Sequence, residues 1–344
     1  MIESKENLLS DIENSIVIIK SRQFITNGKI TFDSNKTKIL TDNLNLDIEY
    51  NDIIGFDIIT DFQIKNIEKI NNKLIEFKSL FKNEESNNSD LNLVIFKIDF
   101  IKLYTYNSKS LFNCFKKKTC NKRKYSNIEF LCLKNTAIMY FNKLKNCTNF
   151  ELIVKLKDTK NNKSDVHKDS LDFFVIRKKL LIIINPFGGK GHGKKIWNKV
   201  KYLYDVSMFD YDVLYTQYKN HAYEIVYNLE NNKYYGVICC SGDGLLHEVV
   251  NALMHRNKSN STKCLNIIVG IIPAGSGNAL AKSLTFEAKE EECNSLTASY
   301  LILTGRYRFI DSMEIKLQSR TDIIYSFLSI NMAIIADIDL ESEK

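Results

Sequence analysis

The sequence predicts an α/β protein, with a parallel-sheet nucleotide-binding domain in its second half and a β-rich domain before it. Short β-rich runs separated by turn residues fill the first part of the chain, up to one predicted helix. From Lys179 onward, apolar runs alternate with helical stretches, which is typical of βαβ units with parallel strands. Each glycine-rich segment of this second half directly follows one of those apolar runs.

Composition places the chain among ordinary globular proteins. Its 344 residues are 44% hydrophobic and 26% charged, enough for two domains with separate cores. The net charge of +7 favours anionic partners such as nucleotides, acidic lipid headgroups or nucleic acid, without choosing among them. The polar N-terminus lacks the apolar core of a signal peptide, and no apolar run approaches the roughly 20 residues that span a bilayer. We therefore expect a cytoplasmic protein whose membrane contact is peripheral.

The eight cysteines indicate core thiols rather than a metal centre. They form no CxxC pair, and their spacing from histidines does not suit zinc. We expect them to be reduced, and we assign no metal ligand.

The first domain, residues 1–157, is expected to be a small antiparallel β-domain capped by a helix. The predicted strands are SIVIIK, KITFD, LDIEY, IIGFDII, LVIFKIDF and KLYTY. The predicted helix, Asn135–Leu144, places Ala137, Tyr140, Phe141 and Leu144 on one face. A pleckstrin-homology-like domain has this order of elements.

Three polar stretches interrupt this region. Asn83–Asn92 is predicted to be a loop, and Asp158–Ser170 is the best linker candidate, inside a linker drawn at 158–177. Lys116–Lys124 reads KKKTCNKRK and is either a solvated loop or a contact for acidic membranes.

The second domain, residues 178–304, alternates strands and helices. The predicted strands are LLIIIN, YDVLYT, YYGVICC and NIIVGIIP. The helices predicted between them are Lys194–Tyr204, His221–Leu229 and Leu245–His255, and another follows PAGSGN. Because ligands of such sheets bind beyond the carboxyl ends of the strands, all the glycine-rich segments should lie at the binding edge.

The first of these segments reads NPFGGKGHG, from Asn185 to Gly193. Glycines let the backbone approach a phosphate, and the following helix N-terminus favours negative charge. A P-loop is disfavoured because Lys195 stands where Ser or Thr would bind Mg²⁺. A GxGxxG dinucleotide motif fails because Lys190 and Lys194 occupy glycine positions.

The second segment is SGDG, and Asp243 lies between its glycines. A carboxylate at this edge could accept the proton of a hydroxyl nucleophile, whereas in isolation it would be a turn or N-cap residue. Glu248, one turn into the next helix, could hold an Arg or Lys or reach a ribose. His247 fits helix packing as well as catalysis.

The third segment, PAGSGN, opens another predicted helix. Ser276 and the neighbouring amides could bind a phosphate or ribose. Asn278 has the alternative of being only a capping residue.

Together, NPFGGKG, SGDGLLHEVVNALM and IPAGSGNALA resemble the diacylglycerol kinase catalytic-domain family, and within it the sphingosine kinases. Ceramide kinases share the first motif but lack the HEVVN and AGSGNALA patterns. The resemblance covers about half of the chain, from Lys179 to its end.

The resemblance implies the diacylglycerol kinase catalytic fold and transfer of phosphate from ATP, with Mg²⁺, to the primary hydroxyl of a sphingoid base. It implies Asp243 as the catalytic base. The implied ATP contacts are Asn185, Pro186, Phe187, Gly188, Gly189, Thr216, Glu248, Gly275, Ser276, Gly277 and Asn278. The implied lipid contacts are Ser241, Gly242, Asp243, Gly244, Ser329 and Asp339. A carboxylate at Asp339 suits the cationic head of the lipid. The implied partners are this lipid and anionic membranes, not nucleic acid.

Members of this family continue into a β-rich lipid-binding domain. Here that domain would begin at about Gly305, so residues 305–344 are expected to be its incomplete beginning, with impaired turnover. The runs YRFIDSMEIKL and DIIYSFLSINMAII would then be orphan strands with apolar faces, prone to exposure or pairing. The open alternatives are a ceramide or diacylglycerol kinase and a non-catalytic binding module with a kinase-like fold.

Overall fold

The structure is a computed structural model that describes residues 15–20, 23–41, 45–59, 93–108, 118–148, 153–156, 173–187, 191–259, 265–319, 321–331, 336 and 341. The chain divides into two compact units. One comprises Met1–Arg177 with Val206–Met208 and Leu303–Gly305, and the other comprises Lys178–Asp205, Phe209–Ile302 and Arg306–Lys344. The domain limits drawn from the sequence stay predictions.

The first unit contains an antiparallel sheet of seven strands. In chain order these are β1 (Ser15–Lys20), β2 (Gln23–Phe32), β3 (Lys36–Leu40), β4 (Asn45–Glu49), β5 (Ile53–Ile59), β6 (Leu93–Ser108) and β7 (Lys118–Leu133). A 3₁₀ turn, Tyr50–Asp52, precedes β5, and helix α1 (Lys134–Cys147) follows β7. The spatial order is β4-β3-β2-β1-β7-β6-β5. The β-rich character of this region is confirmed, and its assignment as pleckstrin-homology-like stays a prediction.

The core of this unit forms where α1 covers the sheet. The predicted apolar face of the helix is confirmed, since Ala137, Tyr140, Phe141 and Leu144 are all buried. Phe96 and Phe130 lie opposite each other on β6 and β7, and both rings contact the ring of Tyr140. Aromatic contacts of this kind add to the stabilisation that burial of apolar area gives.

The loop prediction for Lys116–Lys124 is wrong for its described part, because residues 118–124 belong to β7. Lys122 and Lys124 are exposed and lie opposite Tyr104 and Lys102 of β6. Between them, Arg123 is half-buried and donates a 2.8 Å hydrogen bond to Asp52 Oδ1. The basic side chains thus alternate between exposed and partly buried positions, as expected for a strand with one face in solvent.

Two further predictions are not tested by the structure. The predicted loop at Asn83–Asn92 and the predicted linker at Asp158–Ser170 lie outside the described residues. The flanks of the second stretch, β8 (Ile153–Leu156) and β9 (Phe173–Ile176), pair antiparallel.

The second unit contains a sheet of four parallel strands with helices between them. The strands are β10 (Lys178–Ile184), β11 (Phe209–Tyr215), β12 (Gly236–Ser241) and β13 (Ile268–Pro273). The helices are α2 (Gly193–Asp205), α3 (His221–Tyr227), α4 (Asp243–Ser259), α5 (Ala279–Glu287) and α6 (Ser295–Leu303). The predicted α/β fold class is confirmed. Helix α4 begins two residues earlier than the sequence indicated, so Asp243 is its first residue.

The sheet is buried on both faces, as parallel sheets normally are. On one face, Leu181, Ile183 and Val237 share a core with side chains of α3 and α4. On the other face, α2 packs close to β10 and buries Trp197 and Leu203. The strand order β11-β10-β12-β13 means that the chain reverses direction across the sheet between β10 and β12. The carboxyl ends at such a switch point form a crevice, and the first two glycine-rich segments follow these two strands.

After α6 the chain forms a short hairpin of β14 (Met313–Ile315) and β15 (Ile324–Ser326). The two C-terminal runs, expected to be orphan strands, instead pair with each other. Several apolar side chains around the hairpin are exposed, among them Phe309 and Ile330. Among the described residues, no helix has the length and hydrophobicity needed to cross a bilayer.

Candidate functional site

The first glycine-rich segment leaves β10 through a short turn. The Asn185 side chain accepts a 2.9 Å hydrogen bond from the Phe187 amide, and the Phe187 ring is 75% exposed beyond it. Pro186, between them, is half-buried. Gly188 and Gly189, two of the predicted ATP contacts, lie outside the described residues.

The start of α2 lies directly against the end of β10. A side chain at Gly193 would place its Cβ 2.4 Å from the Asn185 carbonyl oxygen, so glycine is needed for this approach. Lys194 and Lys195 follow on the first turn, and both are exposed. The amides at a helix N-terminus, the helix dipole and two nearby cations make this turn suitable for a phosphate.

The second and third glycine-rich segments touch backbone to backbone. The Ala274 amide donates a 3.0 Å hydrogen bond to the carbonyl of Ser241, the buried last residue of β12. A Cβ on Gly275 would lie 2.5 Å from the Cα of Gly242. Position 275 therefore requires glycine, and the two loops form one continuous surface beside the switch point.

Asp243 joins these two loops through its side chain. Its Oδ2 accepts a 2.7 Å hydrogen bond from the Ala279 amide, and its Oδ1 accepts a 3.1 Å bond from the Leu280 amide. These amides open α5, so the carboxylate caps that helix. A carboxylate offers about four acceptor positions, and the bonds from these two amides use two of them. Gly244, next along α4, is exposed, and a Cβ there would meet no atom within 4 Å.

The third loop is closed by Asn278. Its backbone is left-handed, with φ at 51°. Its side-chain oxygen accepts a 2.9 Å bond from the Gly275 amide, while its amide group donates a 2.6 Å bond to the Gly275 carbonyl. Asn278 thus precedes α5, but its side chain braces the loop instead of capping the helix. Ser276 and Gly277, at the tip, are exposed.

Thr216 and Glu248 attach the β11–α3 connection to this edge. The Thr216 amide donates a 2.9 Å bond to the Ile184 carbonyl, and its side chain is buried. Oε2 of Glu248 accepts a 3.2 Å bond from the Ala222 amide at the start of α3. The described contact of Glu248 is therefore a helix N-terminus, and its contact with ATP stays a prediction.

Sequence reasoning missed two polar residues of α4, Asn251 and Arg256. Asn251 is buried and pairs with the Tyr325 backbone. Arg256 is also buried and donates a 2.8 Å bond to the Tyr227 carbonyl at the end of α3. For Asn251, the available signal was its position among the apolar residues of HEVVNALM. His247, on the same helix, is half-buried, and burial lowers its pKa against the opposing effect of Glu248.

The predicted lipid contacts at the C-terminal end are not brought to this edge by any described interaction. Ser329 is exposed, and its hydroxyl donates a 3.3 Å bond to the Asn331 side chain. Asp339 lies outside the described residues.

A magnesium site is not built by the described side chains. No group of three or more His, Cys, Asp or Glu within them is arranged to hold a metal ion. Mg²⁺ in phosphoryl-transfer sites takes few protein carboxylates and relies on substrate phosphates. An ion held mainly by nucleotide phosphates would not need such a cluster.

Three of the five cysteines whose side chains are described, Cys132, Cys239 and Cys240, are buried, and the other two are partly exposed. Cys132, Cys147, Cys239, Cys240 and Cys293 are free. Burial raises the pKa of Cys132 and of Cys240 to about 12, so both stay protonated at neutral pH.

Comparison with known proteins connects this edge to a family. Residues 179–315, which include all three glycine-rich loops, match the diacylglycerol kinase catalytic domain. Sphingosine kinase 1 of Arabidopsis thaliana is 40% identical over 168 residues, which cover 48% of this chain and 34% of that protein. Sphingosine kinase 2 of Homo sapiens is 34% identical over 172 residues, which cover 48% of this chain and 26% of that protein. Sphingoid long chain base kinase 4 of Schizosaccharomyces pombe is 36% identical over 168 residues, with 48% and 35% covered.

The match spans about a third of the length of these relatives or less. A solved diacylglycerol kinase structure from Bacillus anthracis str. Sterne matches 40% of this chain and 42% of its own at 26% identity, with a TM-score of 0.31. A TM-score this low adds nothing to the sequence match. Over this matched segment, the chain is similar to sphingosine kinases.

Proposed function

We propose that this sphingosine kinase-like chain transfers the terminal phosphate of ATP to the primary hydroxyl of a sphingoid-base lipid. The observation that carries the proposal is the position of Asp243. It is the first residue of α4, between the Gly242–Gly275 contact and the start of α5. It thus stands at the crevice where parallel sheets bind ligands.

The proposed reaction is an in-line displacement at phosphorus. The lipid hydroxyl oxygen attacks the terminal phosphorus of ATP, its proton passes to a free acceptor position of the Asp243 carboxylate, and ADP leaves with the bridging oxygen. The negative charge of phosphate oxygens at the first turn of α2 would be stabilised by its amides and by the nearby Lys194 and Lys195. The protein forms no covalent bond with the substrates in this reaction. Positioning of the substrates and stabilisation of charge therefore account for most of the rate enhancement.

The cap of α5 is compatible with a base role for Asp243. The Ala279 and Leu280 amides orient the carboxylate and use one acceptor position on each oxygen. Because these bonds come from backbone, they fix the carboxylate without a second ionisable group.

The choice of lipid rests on the relatives. Those named above are sphingosine or sphingoid base kinases, whereas the family as a whole carries the name of diacylglycerol kinase. Sphingosine is therefore the first acceptor to test, with diacylglycerol and ceramide beside it.

The test compares the parent chain with Asp243→Asn and Asp243→Ala, using labelled ATP and the three lipids. Both variants lose the carboxylate, so we expect both to lose transfer to sphingosine. Asparagine can still accept one amide bond of α5, whereas alanine accepts none. We therefore expect Asp243→Ala to be the less stable variant, by about 1 kcal/mol, as for loss of an N-cap.

Substantial transfer by folded Asp243→Asn would refute the base role. Transfer to diacylglycerol or ceramide but not to sphingosine would refute the lipid assignment and leave the kinase. No transfer to any lipid by the folded parent chain would favour the alternative of a non-catalytic binding module.

A further inference from the structure

The side chain of Asn251 meets β15 as a neighbouring strand would. Its Nδ2 donates a 2.8 Å hydrogen bond to the Tyr325 carbonyl, and its Oδ1 accepts a 2.8 Å bond from the Tyr325 amide. Asn251 is only 7% exposed and Tyr325 only 4% exposed. Water has little access to either partner, so losing the pair would leave a buried donor and acceptor unsatisfied.

A second contact one helical turn later fixes the register. His255 Nε2 lies 2.6 Å from the Ile323 carbonyl, and its ring stands edge-on to that of Tyr325. Four residues of α-helix advance about 6 Å, and two residues of strand advance about 6.7 Å. Asn251 and His255 therefore match Tyr325 and Ile323, with the strand running antiparallel to the helix. A shift of β15 by one residue would break both contacts.

The tautomer of His255 follows from its neighbours. A carbonyl can only accept, so Nε2 carries the proton, and Nδ1 accepts from the Tyr223 hydroxyl 3.0 Å away. Helix α4 thereby connects α3 and β15 at this point.

The direction of the chain gives this clamp a consequence for the site. Helix α4 begins at Asp243, so the proposed base and the anchor of β15 share one rigid element. After β15 the chain passes Phe327, which packs against the core of α3 and α4, and reaches Ser329. The position of β15 on α4 thus sets where the segment 327–331 leaves the core.

We infer that Asn251 is a positioning residue, which fixes the β14–β15 hairpin on α4 and so sets the path of residues 327–331 relative to Asp243. An effect on lipid binding rests on the proposed function and on the lipid contact that the family resemblance implies for Ser329. The hairpin part stands on the hydrogen bonds alone.

The chain offers a matched control on the same helix. Asn257 makes the same two-way pairing with the Leu265 backbone, through a 2.8 Å bond from the amide and a 3.3 Å bond to the carbonyl. Leu265 precedes β13 and lies far along the chain from the hairpin. A residue that only stabilised the fold would behave like Asn257.

The experiment uses the full chain and three variants: Asn251→Ala, Asn251→Asp and Asn257→Ala. Amide hydrogen exchange is measured over residues 321–331, and KM is measured separately for sphingosine and for ATP. We expect Asn251→Ala to exchange the hairpin amides about tenfold faster, because a buried hydrogen-bonded pair is lost. We expect KM for sphingosine to rise several-fold while KM for ATP stays unchanged.

Asn251→Asp keeps the acceptor for the Tyr325 amide but sets a carboxylate against the Tyr325 carbonyl. It should show the same split in KM even if the alanine variant does not fold. Asn257→Ala should change neither hairpin exchange nor the KM for sphingosine.

Each arm can overturn the inference. Unchanged hairpin exchange in folded Asn251→Ala or Asn251→Asp would refute the clamp, and equal rises in both KM values would refute the lipid-side role. If the parent chain transfers no phosphate, the proposed function fails while the exchange data still decide whether Asn251 fixes the hairpin.

Discussion

Replacing Gly275 by alanine should push the second and third glycine-rich loops apart. The added Cβ would lie 2.5 Å from the Cα of Gly242 and 3.0 Å from its nitrogen. Ordinary carbon contacts begin near 3.5 Å, so one backbone must move by about 1 Å. Both neighbours are main-chain atoms, and no side chain can rotate to make room.

The magnitude follows from the kind of clash. Overpacking by one methyl group typically destabilises a core by about 1–3 kcal/mol. For a unit of this size, each kcal/mol shifts the melting temperature by roughly 2–4 °C. The expected loss for Gly275→Ala is therefore on the order of 5 °C. Nucleotide affinity should fall as well, because the expected ATP contacts Gly275–Asn278 lie on the loop that moves.

Gly244→Ala is the matched control. A Cβ at Gly244 meets no atom within 4 Å, and the position lies in the first turn of α4. Alanine there should leave stability unchanged or raise it by up to about 1 kcal/mol. Thermal unfolding of both variants, with titration of an ATP analogue, makes the comparison. If Gly275→Ala melts at the parent temperature, the close contact of the two loops is not part of the folded state.

Three further substitutions, at Glu248 and His247, test the polar residues of α4. Glu248→Gln keeps an acceptor for the Ala222 amide whereas Glu248→Ala removes it, so denaturant unfolding should rank parent, Gln, Ala, with a total loss of about 1 kcal/mol; an alanine variant as stable as the parent contradicts this. Burial lowers the pKa of His247, so the unfolded chain binds more protons and stability is lost as pH falls from about 6.5 through the lowered folded value. His247→Gln should lose less stability than the parent across that window in unfolding measured at several pH values, and parallel curves would refute the assignment.

The sequence predicted the parallel sheet well because its signals are local. The run LLIIIN is apolar at successive positions, which suits a strand buried on both faces, and the structure buries all of 180–184. Glycines directly after such strands indicate the binding edge of the sheet, and this signal does not depend on long-range contacts. The apolar face of α1 was visible for the same reason, since its spacing is set by the helix itself.

The strand at residues 118–124 was missed because composition and pairing point in opposite directions there. A basic run reads as solvated loop when taken alone, and only its pairing with β6 makes it a strand. That pairing joins positions such as Lys102 and Lys124, which no local pattern connects. The partner of Arg123 is equally remote, since Asp52 lies 71 residues away along the chain.

The hydrogen-bond partners of Asp243, Glu248 and Asn251 were hidden for a related reason: each side chain bonds to backbone. A side chain with a charged partner leaves a second clue in the sequence, but an amide at Ala279, Ala222 or Tyr325 leaves none.

These three contacts also explain why α4 tolerates polar residues along a partly buried helix. Each carboxylate or carboxamide satisfies a donor that would otherwise be unpaired at the start of α5, at the start of α3 or on β15. The cost of burying the side chain is thus offset by the partner that it satisfies. Helix α4 consequently sets the positions of the start of α5, the start of α3 and the β14–β15 hairpin relative to Asp243. A mutation that displaced α4 would therefore disturb all three contacts together.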